Sequence, residues 1–303
     1  MQKNSLSNAR NGHLVIVGGG EDRVDDKEIL AKFVALAGGG SAQIAARIVV
    51  VTAASTVPED MWKIYDEAFG ALGVADRTPL HLASREEAND AANAQRVEQA
   101  TGIFMTGGDQ KRLLAMVGGT AVARAMHAAL ANGACIGGTS AGASAMSAHM
   151  LADGTADLNP ERGSVSLGAG LGLVRRAVID QHFSQRHRLA RLLSVVAQNP
   201  YLHGLGIDED TALVVQPGVG IEIIGNGSVT LVDGRDAISN VADAARRESL
   251  ELINVRLHML PAGSRYRRAD AADAAAADTP VVPGPLIDLI HTLTQQNAHH
   301  EDS

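Results

Sequence analysis

Aromatic residues are scarce in this sequence: one Trp, three Tyr and four Phe in 303 residues, or 3%. A chain so poor in rings has to fill its interior with aliphatics, and hydrophobic residues do reach 46%. Branched aliphatics combined with 32 glycines suit an α/β protein, whose doubly covered strands read as aliphatic runs. Cysteine is almost absent. Cys135 stands alone, which excludes an internal disulfide, so nothing calls for an oxidising compartment. A basic excess is also missing: 26 Lys and Arg face 34 Asp and Glu, for a net charge of -8, which argues against a general nucleic-acid binder. No apolar run reaches the ~18 residues a membrane helix needs, and the opening MQKNSLSNAR has no apolar stretch of signal-peptide type. The expectation is a soluble cytoplasmic protein with neither nucleic-acid nor membrane partners.

What is present is an alternation. HLVIVGGG reads as an aliphatic strand ending in Gly18, Gly19 and Gly20, after a polar tail over residues 1–12. Residues 26–37 carry a helical pattern in Ile29, Leu30, Phe33, Val34 and Leu36. RIVVVTAA is a second strand, and Trp62, Tyr65 and Phe69 mark a helix over 61–72 whose aromatic stripe is core packing. TPLHLA, a polar helix over 85–100, TGIFMTGGDQ, a long helix over 111–132 and ACIGGTSAGASAM continue the series. Strands alternating with helices predict a parallel sheet with right-handed crossovers. After residue 150 the texture changes. Residues 153–172 read as a long loop, AVIDQHFSQRHRLARLLSVVAQ as a strand turning into an amphipathic helix, and IEII and VTLV around Gly225-Asn226-Gly227 as a hairpin. The organisation expected is one large domain over 13–264, with a C-terminal extension over 265–303 that is partly disordered.

Chemistry concentrates at residues 134–145. Gly138-Thr139-Ser140-Ala141-Gly142 has the form G-x-S-x-G between a strand and a helix start. A serine on such a turn projects its Oγ from the carboxyl edge of the sheet, and its neighbours must be small for the bend to close. Ser140 is therefore a candidate nucleophile; a turn packed for geometry alone is the alternative. The Ala141 amide is a first oxyanion donor, and the Gly107-Gly108 turn of FMTGGDQ supplies a second, at Gly108. His182 follows the aliphatic run AVID in a polar stretch and is the candidate base, against a purely structural histidine. Arg186, Arg188 and Arg191 have the fork geometry for carboxylates. Asp180 and Gln181 suit polar or cationic groups. An ordinary solvated helix face is the alternative for the arginines.

With VGGGED at 17–22, TGGDQ at 106–110, GGTSAGA at 137–143, GLGL at 170–173, VIDQHFSQRHR at 178–188 and GLGIDEDTA at 204–212, the chain resembles the cyanophycinases. These lie within the serine peptidase family that also holds aspartyl dipeptidase. The resemblance implies a three-layer α/β fold, a mostly parallel sheet flanked by helices of the class I glutamine amidotransferase-like kind. It implies hydrolysis of cyanophycin, multi-L-arginyl-poly-L-aspartate, to β-Asp-Arg dipeptides, with no metal or organic cofactor, by a homodimer. It maps the nucleophile to Ser140, the base to His182, and the pocket to Gln110, Asp180, Gln181, Arg186, Arg188 and Arg191. It also implies an acid between serine and histidine. Counted back without gaps, that place falls on Leu158, with Asp157 beside it as the candidate and Asp153 and Glu161 further off. An aspartyl dipeptidase of the same family and a non-catalytic binder, the latter resting on Leu158, are the competing readings.

Overall fold

The computed structural model describes residues 12–38, 45–155, 158–268 and 280–294. Its first half follows the alternation. β1 (His13–Val17), α1 (Glu28–Ala37), β2 (Arg47–Val51), α2 (Pro58–Ala71) and β3 (Asp76–Leu80) come first. α3 (Arg85–Asn89), α4 (Ala91–Gln99), β4 (Gly102–Met105), α5 (Gln110–Val117), α6 (Ala121–Ala131), β5 (Cys135–Thr139) and α7 (Ala141–Ala145) follow. The second half is strand-rich. It holds β6 (His149–Gly154), β7 (Val165–Ala169), β8 (Ala177–Asp180), α8 (Leu189–Gln198), β9 (His203–Ile207), β10 (Thr211–Gln216), β11 (Gly220–Gly225) and β12 (Ser228–Asp233). β13 (Ile238–Ser239), β14 (Leu252–Ile253), β15 (Arg256–Pro261), β16 (Arg265–Arg267) and α9 (Ile287–Thr294) complete it.

An eight-stranded sheet runs in the order β16-β11-β10-β1-β5-β4-β2-β3. From β1 to β3 every pairing is parallel; β10, β11 and β16 add antiparallel strands on the other side of β1. Side chains alternate across this sheet with the strand period of two. Leu14 and Ile16 enter one core with α4, α5 and α6, while Val15 and Val17 enter another with α1 and α2. The second core gathers Phe33, Phe69 and Phe104, three of the four phenylalanines, around Tyr65, with ring centroids 5.1 to 6.1 Å apart. Each ring so buried contributes about 1.5–3 kcal/mol, so half of the eight aromatics stabilise this one core, which also holds Val15 and Val17 of β1 and Cys135 of β5.

A second sheet, β15-β12-β9-β8, lies on the first core's side, where Ile179, Leu205, Val229 and Leu231 share that core with Leu14 and Ile16. Part of one outer layer is therefore sheet rather than helix. Among the described residues no single helix is long and apolar enough to cross a membrane.

Several expected elements are corrected. The helix over 111–132 is two helices, because Gly118 and Gly119 end the first and Thr120 caps the second through its side chain. The helix over 85–100 breaks at Asp90, whose carboxylate caps α4. Within the loop expected over 153–172, residues 153–154 and 165–169 belong to the paired strands β6 and β7. The hairpin at Gly225-Asn226-Gly227 does not form. β11 pairs with β10 and β16 in the large sheet, whereas β12 pairs with β9 and β15 in the small one. Gly225 takes φ 99°, and the Asn226 and Gly227 amides donate to Asp210 O and Thr211 Oγ1, which bends the chain from one sheet into the other. Described residues beyond 264 pack on the large sheet. β16 pairs with β11, and Val282, Leu286, Leu289, Ile290 and Leu293 are buried in the first core. The polar tail falls outside the described residues except for Gly12, which donates to Leu130 O at 2.8 Å.

Candidate active site

Ser140 leaves β5 with φ 52° and ψ -112°, a conformation that non-glycine residues rarely adopt. Its neighbours show why they are small. A Cβ on Gly138 would lie 2.7 Å from the Gly142 backbone, and one on Gly142 would lie 2.4 Å from Met105 O. The bend closes only because α7 can sit directly on the ends of β4 and β5. The Ser140 amide donates to Val17 O at 3.1 Å, tying the turn to β1.

His182 leaves β8 with φ 47°, and its amide donates to Gly18 O at 2.7 Å. Its ring lies against Gly19, where a Cβ would stand 2.4 Å from Cε1. Nε2 is 2.9 Å from Ser140 Oγ. On the other side, Nδ1 is 2.5 Å from Glu209 Oε1. With Glu209 accepting from Nδ1–H, Nε2 is left as an acceptor for the serine hydroxyl. Burial lowers the His182 pKa first, the Glu209 contact opposes this, and the Arg186 charge lowers it again; the net shift is downward. The imidazole is therefore neutral near pH 7, as a general base must be.

The carboxylate on His182 was not singled out from sequence. Asp157, the candidate, lies outside the described residues, and Leu158 beside it is 98% exposed. Asp153 is instead 3.6 Å from Lys111, and Glu161 pairs with Arg247 at 3.1 Å. Glu209 comes after the histidine in sequence and arrives from the next strand. β8 and β9 are parallel, with Asp180 opposite Gly206, so His182 and Glu209 leave the sheet at the same edge. The signal available was Asp208-Glu209-Asp210 at the end of an aliphatic strand. Its outer members are structural. Asp208 accepts from the Ser184 and Ser228 amides at 3.0 Å each, and Asp210 accepts from the Asp22 amide at 2.9 Å.

Gly107 and Gly108 come to the same edge. A Cβ on Gly107 would be 3.5 Å from Ser140 Cβ, and Gly108 has φ 142° with Ala54 O only 2.2 Å from a Cβ position. Gly107 thus lies against the serine turn, and the amides of the next residue, Gly108, and of Ala141 are the candidates to meet an oxyanion.

The other six residues divide. Gln181 Oε1 is 3.4 Å from Ser140 Oγ, and Arg186 is exposed one turn beyond His182. Asp180, by contrast, is fully buried, and Arg191 Nε at 2.7 Å and Nη2, together with Arg188 Nη1 at 3.3 Å, occupy both its oxygens. Both Asp180 oxygens are thus engaged within the protein. Arg188 also donates to Gln181 O at 2.5 Å, and Arg191 to Gly154 O at 3.0 Å. Burial pushes the Arg188 guanidinium down to about 10, with Asp180 opposing the fall and Arg191 and Arg186 adding to it; the group is still charged at neutral pH. Gln110 donates weakly to Leu151 O at 3.3 Å. Asp180, Arg188, Arg191 and Gln110 thus tie β6, β8 and α8 together around the serine.

A nucleophile on a strained turn, a neutral imidazole and a carboxylate in line make a peptidase-type site. Residues 14–223 match peptidase family S51. The chain belongs to that family. Over 257 residues, 84% of this chain, it is 40% identical to a Cyanophycinase of Geminocystis herdmanii, of which 93% is covered. It is 38% identical over the same share to a Cyanophycinase of Synechococcus elongatus, with 79% covered, and 35% identical to one of Trichormus variabilis, with 84% covered. In fold it is similar to a crystal structure of a peptidase from an acI-B1 Actinobacterium, with TM-score 0.63 and 20% identity over 86% of this chain and 98% of that one.

Proposed function

We propose that this S51 chain is a cyanophycinase, a serine exopeptidase that releases β-Asp-Arg dipeptides from cyanophycin in the cytoplasm. The observation that carries the reading is the unbroken line Ser140 Oγ, His182 Nε2 and Nδ1, Glu209 Oε1, in a chain whose similar relatives bear that name. Ser140 attacks the α-peptide carbonyl between backbone aspartates while His182 takes its proton. The Gly108 and Ala141 amides hold the oxyanion, and Glu209 steadies the imidazolium formed at that moment. His182 then gives the proton to the leaving amine. A water, deprotonated by the same nitrogen, releases the acyl group and restores Ser140.

Gln181, with Oε1 3.4 Å from Ser140 Oγ, and the exposed Arg186 are the groups we assign to the substrate's carboxylate and amide functions. The non-catalytic reading loses its ground, since it rested on Leu158 and a carboxylate stands at Nδ1 regardless. A homodimer is supported by the exposed Leu257 and Met259 on β15. With Leu158, Leu189 and Leu193 they line a hollow of about 660 Å³, an apolar face that a second copy would cover.

Incubation with insoluble cyanophycin and with Asp-Leu, with products identified by mass, tests the reading. β-Asp-Arg released faster than leucine supports it. Turnover of Asp-Leu with the polymer untouched would favour the dipeptidase, and no release from either would reject both.

A further inference from the structure

A buried carboxylate that the mechanism does not use lies behind the nucleophile. Glu21, only 3% exposed, follows the three glycines after β1. Its Oε2 accepts the Thr139 hydroxyl at 2.5 Å, and its Oε1 accepts the Tyr65 hydroxyl. Thr139 is the residue immediately before Ser140, at the point where β5 turns into the strained bend. Tyr65 is fully buried on α2, packed on Phe104 at 5.1 Å between centroids, with the Arg23 guanidinium 5.8 Å from its ring. Burial, and then Glu21 itself, hold the Tyr65 hydroxyl well above its ordinary pKa, so it remains a donor.

The same loop touches the other members of the site. Val17 O accepts from the Ser140 amide, Gly18 O from the His182 amide, and Gly19 O from the Asp210 amide next to Glu209 at 2.8 Å. Residues 17–21 are thus a frame on which the turn of the serine, the start of the histidine loop and the carboxylate loop are all hung. Within that frame Glu21 is the side chain that reaches the serine turn. A buried carboxylate is costly unless its oxygens are satisfied. Here each oxygen takes one hydroxyl, one from the core and one from the elbow.

We infer that Glu21 is a positioning residue, which with Tyr65 clamps Thr139 and so holds Ser140 Oγ at attack distance. The inference rests on Ser140 being the nucleophile, as proposed above. A bend at φ 52° has no intrinsic preference for its own shape, and its neighbours only make room for it. The Thr139 contact fixes the peptide that enters it.

The test measures labelling of Ser140 by a fluorophosphonate alongside turnover. Thr139→Val keeps the side-chain shape and removes the hydroxyl; Glu21→Gln and Tyr65→Phe remove the other parts of the clamp. The expected result for Thr139→Val and Glu21→Gln is a fall in both labelling rate and kcat of at least about tenfold, from misplacement of the nucleophile. KM should stay within about twofold, and Thr139→Ser should recover most of the loss. The pH at which activity rises should not move, because His182 and Glu209 are untouched. Should Glu21→Gln not fold, Thr139→Val decides alone. Folded variants that label at the wild-type rate, or that lose KM rather than kcat, would overturn the inference. Failure of the wild-type protein itself to label would overturn the reading of Ser140 instead.

Discussion

Glu209→Gln is the most informative perturbation of the proposed triad. Glu209 accepts from Nδ1 at 2.5 Å and raises the histidine pKa against the effect of burial. Glutamine removes the charge and can also turn its amide towards Nδ1. That rotamer favours the tautomer with the proton on Nε2, which can no longer accept from Ser140. Loss of a fully buried acid in such a triad costs about 10⁴ in kcat. The Glu209 side chain is 39% exposed, so part of its field is screened, and a loss of about 10²–10³ is expected, or about 3–4 kcal/mol. The pH profile adds a signed test. With the raising contact gone, the His182 pKa falls further, so the acid limb of kcat/KM should move to lower pH while the plateau drops. Asp157→Asn in parallel should stay within about twofold of wild type. Steady-state rates of dipeptide release between pH 4 and 8 measure all three quantities. A Glu209→Gln enzyme within threefold of wild type, or an acid limb displaced upward, would refute the assignment.

Other outcomes follow from the same contacts. In the wild-type enzyme the acid limb should lie below about 6.5, the ordinary histidine value, because burial outweighs Glu209; a pH–rate profile locates it. Asp180→Ala leaves two buried guanidiniums without their carboxylate and should cost about 3–5 kcal/mol of stability in a urea titration, since breaking a buried pair exposes the cost of the charge left behind. Gly142→Ala drives a methyl to 2.4 Å from Met105 O and should abolish activity and lower the melting temperature, read by circular dichroism.

The legible and illegible parts of this protein differ in kind. Ser140 and His182 stand at the ends of buried strands with unmistakable local texture, β5 of the large sheet and β8 of the small one, and their amides meet at Val17 O and Gly18 O after β1. Glu209 was harder, because its partnership depends on which strand lies beside β8. That neighbour is β9, settled by pairing across 25 residues or more rather than by any local pattern. Glycine carries two meanings that its local pattern does not separate. Gly225-Asn226-Gly227 signalled reversal, and the chain changes sheets there instead. Gly118 and Gly119 were absorbed into a helix that they in fact interrupt. The arginines and Asp180 were read by their chemistry as a binding wall. What their chemistry does not show is that Asp180, Arg188 and Arg191 are buried and pair with one another, while Arg186 stays exposed. Tyr65 was rightly placed in the core, but its hydroxyl contact to Glu21 spans 44 residues and has no local signature.

The central claim is that Ser140, activated by His182, cleaves cyanophycin. Release of β-Asp-Arg from purified polymer, followed by mass for the wild-type protein and for Ser140→Ala at equal concentration, tests it most directly. Steady release by the first and none above the protein-free rate by the second is the expected result. Equal release by both, or none by either, would contradict it.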